Sequence, residues 1–379
     1  MPVIYLDNAA TSFPKAPGVS EAVVRFMTDV GANAGRSSHH PAQDASRMLY
    51  AVREACAGLL GLAEPDRLAF TKNATEALNL VLMGQIPPGG TVILSSLEHN
   101  AVMRPLRHLE AARGARLVVV PFDACGRPDP GLLRQAVARS ADLFVLTAAS
   151  NVTGCLTPVR EIADLCRGAG IPLCLDASQA VGHVDIPAED IDFLCFPGHK
   201  GLLGPMGTGG VYFAPGRGPE PLLRGGTGSA SDSERQPDFL PDRYEAGTQN
   251  LPGLAGLLAA VGFLRDTGLA AVRARESALC DRLLRGLLAL PGVASPGPAA
   301  GEPRVPVISI RVEGRDLGEI ALELDRRDIA TRMGLHCAPA AHRSLGTLEA
   351  GGTLRFSPGF FTTEGEIDAA VQAMEEILA

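Results

Sequence analysis

The 379-residue chain has no excess of basic residues: 34 Lys and Arg stand against 42 Asp and Glu, a formal net charge of −8. A nucleic-acid surface needs clustered Lys and Arg, so that class of function is set aside. The sequence also has no C-x-x-C pair. Its eight cysteines, at positions 56, 125, 155, 166, 174, 195, 280 and 337, are scattered singly, which suggests neither a disulfide framework nor a zinc site. Apolar runs of membrane-spanning length are missing, and the longest candidate, "LPGLAGLLAAVGFL" at 251–264, reads as a buried helix. The opening "MPVIYLDN" lacks the basic and apolar regions of a signal peptide, so the expectation is a cytoplasmic protein with no membrane partner. There is no G-x-x-x-x-G-K-[ST], and no G-x-G-x-x-G follows the first strand, which weakens nucleotide binding. Internal repeats are absent too. What is left is small-molecule chemistry on a chain long enough for two domains or one large α/β domain.

From about 67 to 213 short apolar strands alternate with amphipathic segments: "RLAFT", "ATEALNLVLMG", "TVILSS", "NAVMRPLRHLEAARG", "ARLVVVPF", "PGLLRQAVARS", "DLFVLTAAS", "PVREIADLCRGAG", "IPLCLDAS". This alternation predicts a mostly parallel sheet covered on both faces, with ligands beyond the carboxyl ends of the strands. Five strand ends carry polar runs, "TKNATE", "SSLEHN", "SNVTG", "DASQA" and "PGHKG", and these would converge on one rim. From 216 to 250 the pattern dissolves into a glycine-rich polar excursion, of the kind that serves as an interface or lid when it is ordered. Helices near 252–289, a strand "RVPVISIRV", a helix "DLGEIALELDRR", "IATRMGLHCAP", a strand "GTLRFS" and a terminal helix follow, a set that suits a smaller α+β domain. The expected division is 15–250 for the large domain, and 1–14 with 251–379 for the small one.

Within the rim, Lys200 sits on a glycine-rich turn beside His199, where its amine can reach a ligand; an isolated lysine there is otherwise a solvated loop residue. Asp176 ends a strand 24 residues earlier. Lys with Asp is the pair that pyridoxal phosphate needs, an amine for its aldehyde and a carboxylate for its pyridine nitrogen. Asp176 alone is equally a helix N-cap. The N–H groups of Ala74 and Thr75, with the Thr75 hydroxyl, could cradle a phosphate at a helix start, or Thr75 or Asn73 could simply cap that helix. His99 could lie flat on an aromatic cofactor or begin a helix.

The blocks "YLDNAATS", "NATEALN", "EHNAV", "SNVTG", "DASQAVGHVDI", "GHKGLLGPMGTG", "EAGTQN" and "GLHCAP" occur in an order that resembles the class V aminotransferase-like, fold-type I enzymes, and within them the cysteine desulfurases. The resemblance runs from about residue 5 to the C-terminus. It implies an α/β fold with a large domain built on a mostly parallel seven-stranded sheet and a smaller α+β C-terminal domain. It also implies pyridoxal 5'-phosphate as cofactor, held by Lys200 through its amine, Asp176 at the pyridine nitrogen, Gln179 at the phenolic oxygen, His99 stacked on the ring, and Ala74, Thr75 and His199 at the phosphate. Thr248 would reach the phosphate of a neighbouring subunit, which implies a homodimer with shared sites. Asn151 and Arg355 would grip the substrate carboxylate, with Arg332 and Ala10 also at the substrate. An Arg fork suits an amino-acid carboxylate.

Cys337, in "RMGLHCAP", is similar to the nucleophile of the R-x-G-x-H-C-A desulfurase subgroup, and it would be catalytic with Lys200 and His99. Such a thiol should be partly exposed and near cationic groups, for which Arg332 and His336 are the sequence neighbours. A metal cluster of His336, Cys337 and His342 lacks a fourth ligand. Two features depart from the pattern. Pro197 stands before Gly-His-Lys where many relatives carry a hydroxyl, and the stretch 338–352, with His342, is unlike that of the best-known members. The resulting reading is a cysteine desulfurase that turns L-cysteine into L-alanine and passes sulfur to an acceptor protein. The alternatives are a selenocysteine lyase acting on L-selenocysteine, another Cβ–S lyase, an aminotransferase, and a non-catalytic scaffold.

Overall fold

A computed structural model describes residues 3–35 and 38–379. Seven strands form the large sheet: β2 (Leu68–Thr71), β3 (Thr91–Ser95), β4 (Arg116–Val120), β5 (Leu143–Thr147), β6 (Leu173–Asp176), β7 (Phe193–Pro197) and β8 (Gly209–Phe213). Their order is β2-β8-β7-β6-β5-β3-β4. The inner pairs are parallel, and β8 alone runs antiparallel to both of its neighbours. β5 to β8 are buried along their whole length, as strands covered on both faces must be.

The crossovers are helical: α3 (Ala74–Gln85), α4 (Asn100–Arg113), α5 (Pro130–Val137) and α6 (Val159–Ala169), preceded in the chain by α1 (Val19–Arg25) and α2 (His40–Leu59). The capping residues are visible in the sequence. Asn73 accepts the Glu76 N–H, His99 the Ala101 N–H, and Asp129 the Gly131 and Leu132 N–H groups.

The predicted buried helix is α7 (Leu251–Thr267), which packs against α1 and α2 on the core of the large sheet. It meets α8 (Leu269–Leu288) at Gly268 with a bend of 84°, and α8 leaves Leu269 and Val272 in that core while Leu279 to Leu287 belong to a separate one. The change of core therefore falls within α8, between Val272 and Leu279. No single helix among the described residues is long and apolar enough to cross a membrane.

That second core is built by α8, α9 (Leu317–Asp325), α11 (Glu364–Leu378) and a four-stranded antiparallel sheet ordered β12-β13-β10-β9. Its strands are β9 (Val293–Ala294), β10 (Ile308–Val312), β12 (Arg332–Gly334) and β13 (Thr353–Phe356). The strand expected over 304–312 is ordered as strand only from Ile308, because Pro306 has no N–H to offer a ladder. The N-terminal β1 (Ile4–Tyr5) pairs in parallel with β11 (Ile329–Ala330), and Leu6 joins this core. A short helix, α10 (Pro339–Ser344), follows β12.

The excursion at 216–250 has neither helix nor strand, yet it is anchored at its far end. Tyr244 stacks on Phe213 with ring centroids 4.3 Å apart, and Glu245 forms a two-pronged ion pair with the buried Arg53 at 2.8 and 2.9 Å. Glu245 also accepts the Phe70 N–H at 2.6 Å, and Arg53 donates to the Leu68 carbonyl, so edge strand β2 is pinned to this pair. Removing one partner of a buried pair leaves an uncompensated charge. Glu245→Ala should therefore cost about 3–5 kcal/mol in urea unfolding, and a loss below about 1 kcal/mol would contradict this role for the pair.

Candidate active site

Because β2, β3, β5, β6 and β7 point the same way, their carboxyl ends share a rim, and the five polar runs meet there. One cavity is lined by Asn73, Ala74, Thr75, His99, Thr147, Asn151, Asp176, Gln179, Pro197, His199 and Lys200. The sequence-predicted residues in that cavity are thus brought together from five separate strand ends.

The Lys200 turn is glycine-rich because backbone meets backbone there. A Cβ on Gly201 would stand 2.2 Å from the Val181 carbonyl oxygen and 2.7 Å from His183 Nε2, and one on Gly182 would stand 2.2 Å from the Gly201 oxygen. These two glycines let the segment after β6 lie directly against the turn after β7, setting Lys200 beside Asp176. The N-terminal loop closes over the same turn: Ser12 N, Thr11 Oγ1, Ser12 Oγ and Lys15 Nζ all donate to the His199 carbonyl. Lys15 also donates to Thr11 and Ser12, and burial lowers its amine to about 8. Nothing in the sequence singled out Lys15; its partner His199 is 184 positions away.

Burial pushes the Lys200 amine down to about 8, opposed by Asp176 and reinforced by Arg355 and Arg332. Burial also holds His99 down to about 4, against the pull of Asp176, and His199 to about 4, so both rings are neutral near pH 7. Asp176 Oδ1 accepts the Ser178 N–H at 2.9 Å, which makes it a local cap and leaves its other oxygen. The capping and ligand-facing readings are therefore compatible, as they are at His99, which caps α4 through Nδ1 while lining the cavity. At α3 the cap is Asn73 and not Thr75, so the Ala74 and Thr75 N–H groups lie in the first turn, outside the helix ladder. Gln179 donates through Nε2 to the Ala9 carbonyl, and His199 Nδ1 is buried without a protein partner. Pro197 pairs with Gly209 across β7 and β8.

The second sheet approaches from above. Arg355, 1% exposed, donates from Nη2 to Asp7 Oδ1 at 2.7 Å and from Nη1 to the Asn151 carbonyl at 3.1 Å. Asn151 Nδ2 donates to the His336 carbonyl at 2.6 Å, and the Asn100 N–H to the Cys337 carbonyl at 2.8 Å. His336 and Cys337 are both left-handed, with φ of 48° and 57°, and those two bonds hold the turn against a cost of about 1–2 kcal/mol per residue. Cys337 is the one exposed cysteine among the described residues, and the Arg332 guanidinium stands 3.8 Å from its sulfur. Only one of the two cationic neighbours expected for this thiol is present. His336 is buried and held down to about 2, because desolvation and the Arg355 charge both oppose its protonation, so its ring is neutral.

Ala10 lies in the N-terminal loop, its N–H bonded to the Asp7 carbonyl. Thr248 is exposed and lies outside the Lys200 cavity, near Lys72 and Glu76. Two contributors escaped sequence reading besides Lys15. One is Asp7, inside the quoted "YLDNAATS", which holds Arg355. The other is Glu98, whose Oε1 accepts the Thr147 N–H and the Ser95 hydroxyl and whose carboxyl is raised to about 8, chiefly by burial.

Lys200 should titrate accordingly: protonated and unreactive below about 8, free amine above it. In protein freed of carbonyl ligands, reductive methylation followed peptide by peptide should give Lys200 a midpoint near 8. A midpoint at the ordinary 10.5 would mean that burial does not act on this amine.

Residues 4–370 match the Aminotransferase class-V family. A probable cysteine desulfurase of Methanothermobacter thermautotrophicus is 33% identical over 99% of this chain and 94% of its own. A cysteine desulfurase of Serratia proteamaculans is 31% identical over 99% and 93%. Among solved structures, the apo cysteine desulfurase from Thermococcus onnurineus superposes with a TM-score of 0.91 at 30% identity, covering 99% of this chain and 94% of that one. The Escherichia coli cysteine desulfurase CsdA superposes at 0.87 and 29%, covering 100% and 96%. On sequence and architecture together, this chain belongs to the aminotransferase class-V family, among relatives that are cysteine desulfurases.

Proposed function

We propose that the protein is a pyridoxal-phosphate-dependent cysteine desulfurase that converts L-cysteine to L-alanine and leaves the sulfur on Cys337 as a persulfide. The observation that carries this reading is the tether of the Cys337 turn, through Asn151 and Asn100, to the wall of the Lys200 cavity.

The donor set suits the cofactor. The first-turn amides of α3 and the unpartnered Nδ1 of His199 offer a phosphate site, Asp176 a carboxylate for a pyridinium, His99 a neutral ring for stacking, and Gln179 a second amide hydrogen. When bound, pyridoxal phosphate supplies an electron sink for charge developing at Cα. The chain supplies the rest. Lys200, with its amine near 8, is poised to take the Cα proton and return it. Arg355 and Asn151, with Arg332 and Ala10 close by, orient the substrate carboxylate. Cys337 as thiolate attacks the substrate sulfur: an S–S bond forms, the Cβ–S bond breaks, its electron pair passes to Cβ, and protonation there completes alanine. The Arg332 guanidinium stands 3.8 Å from that sulfur. Pro197 adds no hydrogen bond to a phosphate.

Thr248 lies outside its own chain's cavity, and we read it as serving a neighbouring subunit's phosphate in a homodimer. The persulfide is then passed to a sulfur-acceptor protein, in a cytoplasmic setting.

Cys337→Ala should retain the cofactor's visible absorbance and its change on adding cysteine, while single-turnover alanine formation falls by on the order of 10³. Mass spectrometry of the wild type after cysteine should find one added sulfur on the Cys337 peptide. Pyruvate instead of alanine, or sulfur on another cysteine, would replace this reading with a lyase; L-selenocysteine turnover should be spared by the substitution, because the weaker C–Se bond can break without thiol attack. Lys200→Ala should lose both turnover and the borohydride-stable lysine adduct, and label on another lysine would refute the assignment. Sedimentation at assay concentration should give a dimer, and a fully active monomer would exclude shared sites.

A further inference from the structure

Glu98 is a buried carboxyl that the reaction does not use, and it stands where the large sheet divides. The connection from β3 runs to β4 on one side and that from β5 to β6 on the other, so α4 and α6 cover opposite faces of the sheet. The boundary between β3 and β5 is therefore the switch point at which a crevice opens in sheets of this kind. The ladder between these two strands ends at Leu94 and Val145, while β5 stays with β6 as far as Thr147 and Asp176, and β3 stays with β4 as far as Ser95 and Val120. The Ala148 N–H goes to the Asp176 carbonyl in β6, and the Thr147 N–H faces the other way, past the end of the β3 ladder. Glu98 supplies its acceptor. The side chain is fully buried, and its Oε1 lies 2.8 Å from the Thr147 nitrogen and 2.5 Å from the Ser95 hydroxyl. Its Oε2 is buried with no partner, a costly placement for a carboxyl, and burial keeps the group mostly protonated near pH 7.

We propose that Glu98 is a positioning residue for His99: its carboxyl bridges the crevice between β3 and β5, and so fixes where His99, the next residue, stands relative to Thr147 and Asp176 on the cavity wall. The β5 side of the bridge is anchored independently, since the Ala148 N–H is bonded to the Asp176 carbonyl and the Thr157 hydroxyl to the Thr147 carbonyl. The turn that carries His99 is the side that the bridge restrains. His99, Thr147 and Asp176 all line the Lys200 cavity, so a shift of that turn moves an imidazole within the cavity and leaves Asp176 in place. The proposal deepens the reading of this rim as a pyridoxal-phosphate site and rests on it. What it asks of Glu98 is an acceptor oxygen and not a charge, and Glu98→Gln keeps that oxygen.

The test loads the protein with pyridoxal phosphate and reads three quantities: alanine formation from L-cysteine, the loss of visible cofactor absorbance on dialysis, and hydrogen exchange of the Thr147 amide by residue-resolved mass spectrometry. Glu98→Ala should slow alanine formation at saturating cysteine by about 10- to 100-fold, as a small misplacement at the reacting centre does. It should also speed the loss of absorbance, as His99 no longer covers the ring, and speed Thr147 exchange, as the amide loses its acceptor. The half-saturating cysteine concentration should stay unchanged, because Arg355 and Asn151 are not moved. Glu98→Gln should recover most of all three readouts. If Glu98→Ala does not fold, Ser95→Ala removes one of the two bonds to Oε1 and should move the same readouts by a smaller factor. A role in stability alone would lower the melting temperature and leave alanine formation and absorbance at their wild-type values; that result in a folded Glu98→Ala, or in Ser95→Ala where that variant has to decide, overturns the proposal. So does a Glu98→Gln no better than Glu98→Ala. A wild type that takes up no pyridoxal phosphate and forms no alanine would instead remove the functional reading, leaving Thr147 exchange, which needs no cofactor, to judge the bridge alone.

Discussion

Arg355 is the group on which the site's assembly turns. A guanidinium 1% exposed carries a desolvation penalty of several kcal/mol, and it is tolerable only where partners meet it. Its partners come from two distant places: Asp7 in the N-terminal loop and the carbonyl of Asn151 after β5. Arg355 itself is in β13 of the second core. One buried cation thus requires the N-terminal loop, the large-sheet rim and the small sheet to meet at a point. The same Asn151 reaches on to the His336 carbonyl, so the position of Cys337 follows from the position of Arg355.

The rim blocks are legible in the sequence because each joins an apolar strand to a polar run and a helix start, and local signals suffice to place all three. Lys200, Asp176, His99 and the α3 amides were therefore found together. The same reasoning explains the misses. Asp7 and Arg355 are 348 positions apart, and Lys15 and His199 are 184 apart; no periodicity or spacing links them, only the topology that closes the chain on itself. His336 was misjudged as a cationic neighbour of Cys337 because sequence adjacency does not report burial, and burial decides whether an imidazole is charged. The change of core carries no local signal, because it falls inside α8, between Val272 and Leu279, after Gly268 has turned the chain through 84°. His342 stood in the stretch that matched the pattern least, and only the fold puts it against His336.

The electrostatics of the rim follow from these placements. Four cationic side chains, Lys15, Arg332, Arg355 and Lys200, stand there with two carboxylates, Asp7 and Asp176, while His99, His199 and His336 are kept neutral by burial. Glu98, the remaining carboxyl, is pushed up to about 8 and is mostly protonated near pH 7, so it does not cancel the excess. The cavity therefore favours ligands with more than one negative charge, such as a phosphate held at α3 together with an amino-acid carboxylate near Arg355. The Lys200 amine is lowered chiefly by its burial, and Arg355 and Arg332 add to that effect while Asp176 opposes it. A lysine that is partly free base near neutral pH is thus first a consequence of burial, which the arginines that favour anions reinforce. Cys337 lies outside the buried rim, exposed on its left-handed turn with a single guanidinium 3.8 Å away, whereas burial raises the thiols of Cys56, Cys155, Cys166, Cys195 and Cys280. The amine that must shed its charge is buried, and the thiol that must acquire one is at the surface.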